Sequence, residues 1–352
     1  MRSSIHWFGD LPWLWSRWAG KSIRRLTVVS VAIFVYCFLI GLAGAVATGG
    51  VNLYVRDLAW LFGNVFVAGG AFALAYAPKG VERFFASMRP WLANSPAEIA
   101  SEESATLRLL YRGVLPLTIL LLVVAVANVT VKDPRYSSAG LDNLYMWMNI
   151  SGSPTYAFFG GGTAAVAIFG LAAVAYRLRR FDLKPGFILQ GGKAALQPFN
   201  QLLWVVWGTY AFPALLTVAF FIGGTTNTQQ LDRRQVQVIT IGSLVFIAVL
   251  IIPSIVLPQL LMHRWLSKQK AEELAHIHRE LQATAALPLH PEAVDVQARV
   301  LRHQHLLYEL QQAQAFRPTL TDARFFIQIG GSIALAIASN ILLPMLASKL
   351  TG

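Results

Sequence analysis

Residues 26–48 read LTVVSVAIFVYCFLIGLAGAVAT, a run from Leu26 to Thr48 without a single Asp, Glu, Lys or Arg. Coiled as a helix at about 1.5 Å per residue, a run of this length crosses the roughly 30 Å of hydrocarbon in a bilayer. Inside lipid every backbone N–H and C=O must find its partner within the protein, which leaves only helices and closed barrels. A barrel needs many short segments that alternate in polarity. This run is long and uniformly apolar, so it reads as a transmembrane helix.

Six more stretches of the same kind follow: Ala59 to Ala77, Val114 to Val131, Tyr156 to Tyr176, Leu203 to Gly224, Val238 to Met262 and Phe325 to Ser348. The composition agrees, at 55% hydrophobic and 13% charged, where soluble domains carry about 25% charged residues. The expected fold is an all-α polytopic membrane bundle of seven transmembrane helices, with interfacial amphipathic helices and a cytoplasmic helical hairpin.

Charge sets the orientation. Of 29 Lys and Arg residues, 23 lie in the N-terminal tail and in the segments after the second, fourth and sixth spans. The remaining 6 are Arg56, Lys132, Arg135, Arg233, Arg234 and Lys349. By the positive-inside rule the N-terminus is cytoplasmic and the C-terminus outside. The net charge of +12 is accounted for by this placement and does not call for nucleic acid as a partner. Cys37 is the single cysteine, so no intrachain disulfide forms. No cleavable signal peptide is evident, and the lack of sorting features makes a bacterial inner membrane the default location.

Four regions result. Residues 1–25 mix Trp7, Phe8, Trp13, Trp15 and Trp18 with Arg17, Lys21, Arg24 and Arg25, as expected of a segment lying in the cytoplasmic interface. Residues 26–262 hold six spans. Residues 263–324 form the hairpin, from helices His263 to Ala285 and Glu292 to Ala315. Apolar residues in each helix recur at spacings of three, four or seven. Residues 325–352 hold the seventh span and a short outward end. Between the second and third spans, Val81, Phe84, Phe85, Met88 and Trp91 read as a further amphipathic stretch, and Ser95-Pro96-Ala97-Glu98 as a helix start. Phe181, Phe187, Ile188 and Leu189 are expected against the membrane surface, in backbone broken by Pro185, Gly186, Gly191 and Gly192.

Chemistry is sparse. No Asp, Glu, Lys or Arg lies mid-span, which argues against proton- or ion-coupled carriers, since these keep ionisable groups at membrane depth. No HExxH, GxSxG, phosphate-binding loop or CxxC occurs, so neither an enzyme nor a cofactor is expected. Six of the seven histidines lie in the hairpin region. Folding the hairpin brings His276 toward His303 as a weak metal candidate, although the close histidine pairs are spaced by two rather than four.

The leading expectation is a self-associating membrane protein that forms a passive pore or channel-like assembly. Asn64, Asn340, Pro253 and Pro258 are the pore or gate candidates, the prolines because they bend the sixth span where it emerges as the hairpin. The alternative is a non-catalytic scaffold or complex subunit. Its partners are the lipid bilayer, further copies of itself or a membrane complex, and a cytoplasmic protein held at residues 263–324.

Overall fold

The computed structural model describes residues 11–20, 22–129, 134–137, 139–217, 252–286 and 293–318. The seventh predicted span, with Asn340, lies outside the described residues, as do most of the sixth and the end of the fifth.

The described elements are all helical, apart from one isolated bridge between Leu92 and Leu183. They are α1 (Leu11–Ala19), α2 (Ile23–Thr48), α3 (Val51–Arg56), α4 (Leu58–Met88), α5 (Pro96–Leu110), α6 (Val114–Val129), α7 (Pro134–Ser137), α8 (Asp142–Leu178), α9 (Gln197–Val206), α10 (Ile252–Ala286) and α11 (Ala293–Ala315). Four described helices are long and apolar enough to cross a membrane: Ile23–Thr48, Leu58–Trp91, Pro96–Val123 and Asp142–Leu178. They cover the first four predicted spans.

α4 is the centre of the bundle, packed by α1, α2, α8 and α9. It begins on the N-cap Asp57, whose carboxylate accepts the N–H groups of Ala59 and Trp60 at 3.0 and 3.4 Å and the Tyr136 hydroxyl at 2.9 Å. It then runs through Pro78 without ending. The predicted amphipathic stretch after the second span is therefore the continuation of α4, with Val81, Phe84, Phe85 and Met88 fully buried. Phe181, Phe187 and Ile188 are buried there too, rather than resting on a membrane surface. Phe85 meets Phe181 and Trp91 meets Phe187 edge-on, at 6.4 and 5.5 Å between ring centroids. Aromatic edge-to-face packing gives these rings a protein partner where their sequence pattern alone allows lipid as well.

Ser95 and Glu98 close a capping box, Glu98 N–H donating to Ser95 Oγ and Ser95 N–H to Glu98 Oε2. The helix so begun, α5, leads into α6 through a three-residue turn at 111–113. α8 starts before the predicted span Tyr156 to Tyr176: Asp142–Thr155 is helical and continuous with it. Trp147 ties this early part to α2, its indole N–H donating to the Ile40 carbonyl at 3.0 Å.

Three segments widen into π-helix: Tyr156–Gly161 and Val166–Gly170 within α8, and Trp207–Ala211 after α9. Two of them meet α4 at Gly69 and Gly70. A Cβ on Gly69 would fall 1.6 Å from the Thr209 carbonyl oxygen, and one on Gly70 2.8 Å from that of Phe159. Three backbones thus approach at one level, which only residues without a side chain permit. Thr163 closes the crossing by donating its hydroxyl to the Gly70 carbonyl at 2.7 Å.

Helix α1 packs onto the bundle. Trp15 of α1 donates its indole N–H to the Ala71 carbonyl, halfway along α4, at 3.1 Å and packs on Phe159 of α8 at 5.0 Å. Trp18 stays exposed, with the Arg25 guanidinium 4.6 Å from its ring centre.

At the basic end of the bundle, Glu102 of α5 accepts from both Arg177 and Arg180, and Arg89 pairs with Glu103 at 2.8 Å. The hairpin stands on this end. α10 is one helix from Ile252 to Ala286, continuous through the buried Pro258. Its Met262, Trp265 and Leu266 are buried, and it packs along the last turns of α8.

Candidate functional site

Among the described residues, polar groups combine with space at a place within the bundle and at another at its basic end. Within the bundle, Asn64 of α4 is buried and accepts a hydrogen bond from the Tyr156 hydroxyl at 3.3 Å. The Tyr54 hydroxyl is turned to the Phe38 carbonyl at 2.9 Å. Cys37, Tyr54, Asn64, Thr155 and Tyr156 surround a cavity of about 20 Å³, which is room for one water. Thr217 donates to Pro213 O at 2.8 Å within its own helix, whereas the Thr118 hydroxyl is buried without a partner among the described residues. Asn64 thus belongs to a closed polar knot. Pro258 lies buried inside α10, Pro253 falls at the edge of the described part of that helix, and Asn340 is outside the described residues.

The larger space is a cleft of about 660 Å³ at the basic end. It is built from three segments far apart in sequence: Leu183–Gln190, the middle of α10 and the second half of α11. Each is held for a local reason. The Leu183–Gln190 loop is fixed to the end of α4 because Lys184 N–H donates to Trp91 O and its Nζ to Pro90 O, at 2.8 and 2.7 Å. Gly186, at φ 86°, turns the chain in the left-handed region. Phe187 is buried beneath the loop, and its ring occupies the place a side chain on Gly192 would need.

α10 and α11 are joined by the buried Ile277, Leu306 and Ala313 and by Lys270, whose Nζ donates to the carbonyls of Gln314 and Phe316 at 2.8 Å each. A cation on the free carbonyls at a helix C-terminus is favourable both as a hydrogen bond and against the helix dipole. Loop and hairpin are then bridged by one hydrogen bond, from Gly186 N–H to Glu273 Oε1 at 3.0 Å.

Four carboxylates line this cleft: Glu272, Glu273 and Glu280 of α10 and Glu309 of α11. Burial lifts the Glu273 carboxyl above its ordinary value. The N–H groups of Gly186 and Ile188 oppose that rise, the Glu309 charge adds to it, and His276 works against it. His276 Nε2 lies 3.8 Å from Glu280 Oε1, and His305 Nε2 3.2 Å from Glu309 Oε1.

Of the two histidines paired from sequence, His276 lines the cleft and His303 is not among its lining residues. His305 lines it with His276. Among the described residues no group of three His, Cys, Asp or Glu side chains is placed to hold a metal ion. The carboxylates and the Leu183–Gln190 loop were not identified from sequence, since the only local signal was the histidine content of the hairpin.

The raised Glu273 carboxyl makes the loop-to-hairpin contact sensitive to pH. Its folded value exceeds its unfolded one, so its contribution is complete below the ordinary carboxylate range and lost as pH rises through the folded value. Hydrogen exchange at Gly186 and Ile188 is expected to quicken across that window beyond the rise of intrinsic exchange. Glu273→Gln keeps an acceptor for Gly186 and should abolish the extra rise; an unchanged profile in the variant would assign it to another group.

Comparison with protein families, with curated proteins and with solved structures returns no match, so the functional reading rests on the geometry.

Proposed function

We propose that this chain is a seven-span inner-membrane protein with its basic end in the cytoplasm. It acts there as a non-catalytic complex subunit, receiving a cytoplasmic partner in the cleft between the hairpin and the Leu183–Gln190 loop. The observation that carries this reading is the cleft itself. Its volume of about 660 Å³ is within the usual range of binding sites, roughly 300 to 1,000 Å³. It stands on a rigid base, because α10 continues into the bundle and the loop is pinned to α4. Tyr308 at its rim is 58% exposed, a large amphipathic side chain of the type that anchors interfaces.

A photoreactive amino acid placed at Tyr308 and activated in intact cells tests the reading. The expected result is one discrete adduct of fixed mass, lost when Gln190→Trp fills the cleft while the thermal melting of the protein stays unchanged. An identical set of adducts with and without the tryptophan would remove the cleft as a partner site.

A self-associating channel-like assembly is the second reading, favoured by the polar knot of Asn64, Tyr54 and Tyr156 in otherwise apolar helices. The knot is then a closed constriction. Ion flux from liposomes loaded with the purified protein, compared between wild type and Asn64→Leu, decides it: equal flux, or none in either, counts against a channel through this site.

A further inference from the structure

We infer that the partner enters the cleft through a basic peptide segment, with two cationic side chains about 10 Å apart; this rests on the docking reading above. The chain carries 29 Lys and Arg against 17 Asp and Glu, yet Glu272, Glu273, Glu280 and Glu309 converge on this one cleft. Its two cations are already engaged with backbone. Lys184 Nζ donates to Pro90 O at 2.7 Å, and Arg279 Nε to Ala275 O at 3.3 Å.

Three of the carboxylates have weaker ties, while Glu273 accepts the Gly186 N–H at 3.0 Å through Oε1 and its other oxygen can still accept from a ligand. Glu272 faces Lys268 at 3.5 Å, Glu280 faces Arg302 at 3.6 Å and Glu309 faces His305. These are solvent-exposed pairs, which exchange readily because each is worth about 1 kcal/mol or less.

A second observation points to a ligand independently of charge. Gln269 lines the cleft, is only 9% exposed, and has no hydrogen-bond partner among the described residues. Its amide opens onto the cleft, where its oxygen can accept from a peptide N–H or an ammonium group.

The spacing follows from α10. Glu273 and Glu280 are two helical turns apart, which places them on one face about 10 Å from each other. In an extended polyproline-II segment, residues three apart also share a face, about 9 Å apart. Between the two carboxylates the lining is apolar, with Leu189, Ile277 and Leu306. The methylene stems of Lys or Arg can lie on this floor while their charged ends reach the carboxylates.

The test uses the full-length protein in nanodiscs of zwitterionic phosphatidylcholine, so that no lipid charge competes. The probe is a fluorescein-labelled heptapeptide with two lysines three residues apart, read by anisotropy. Binding is expected. It should weaken about tenfold in the double variant Glu273→Gln/Glu280→Gln, as two lost pairs of under 1 kcal/mol each imply. It should weaken several-fold in Gln269→Ala and stay at the wild-type level in Glu82→Gln, an exposed acid outside the cleft. Circular dichroism melts of each variant separate lost binding from lost folding.

Equal binding of a heptapeptide with glutamates in place of the lysines would overturn the cationic requirement and leave the docking reading standing. So would a Tyr308 adduct in cells alongside no binding of the lysine peptide. Tighter binding of spermidine than of the peptide would overturn it in favour of a small polycation.

Discussion

Gly69→Val is expected to abolish the folded bundle. The new Cβ would lie 1.6 Å from the Thr209 carbonyl oxygen, which is backbone within the π-helical turn Trp207–Ala211 and has no rotamer into which to retreat. Relief requires α4 and that turn to separate. The separation would also loosen the Gly70 crossing and break the hydrogen bond from Thr163 to Gly70 O. Overpacking a core ordinarily costs about 1 to 3 kcal/mol; forcing two backbones apart exceeds that and takes up much of a typical stability of about 5 to 15 kcal/mol. The measurement is the yield of monodisperse protein after detergent extraction, followed by its melting temperature. Gly208→Ala is the matched control, because a Cβ there meets nothing within 4 Å. If the valine variant is extracted and melts like wild type, the close crossing is not present in the membrane.

Phe187→Ala is the second large effect. The ring is fully buried and meets Trp91 edge-on. Removing it leaves a cavity directly under the loop that forms one wall of the cleft. Truncation of a buried phenylalanine costs about 3 to 5 kcal/mol. The loss should be local as well as global: hydrogen exchange is expected to rise first in residues 183–192, with the contact between Gly186 and Glu273 going with it. Trp204, 38% exposed, offers the comparison, since Trp204→Ala should cost far less. Uniform loss of protection through α4 and α8 instead would mean that the loop is not a separate layer on the bundle.

Much of this architecture was legible in the sequence. The charge-free runs located the first four long helices, and Ser95-Pro96-Ala97-Glu98 located a helix start that forms at that place. The second hairpin helix and the end of the first lie within a residue of prediction, while the first begins at Ile252 rather than His263, as one helix with the end of the sixth span. Hydropathy cannot tell lipid from protein interior, however, so Phe84, Phe85, Phe181 and Phe187 could be assigned to either. Their burial depends on α4 extending past Pro78, which a proline in the sequence argues against. The π-helical turns carry no local signal at all, because they answer to the packing of neighbours. The small-residue series through Gly69 was visible, but its partner at Thr209 was not.

The candidate site was the least legible. Its walls come from residues around 186, 273 and 309, and only the register of the hairpin decides that His305 rather than His303 shares the cleft with His276. Two residues along a helix amount to more than half a turn, which is enough to send a side chain to another face.

The seat of α1 bears on the order in which the protein is put together. Trp15 is made early in synthesis, yet the Ala71 carbonyl it grips and the Phe159 ring it rests on belong to α4 and α8, which emerge later. Helix α1 must therefore wait, unsatisfied, while its berth is built, and its seat is complete only once α8 has been made, a latch fitted after that part of the frame is standing.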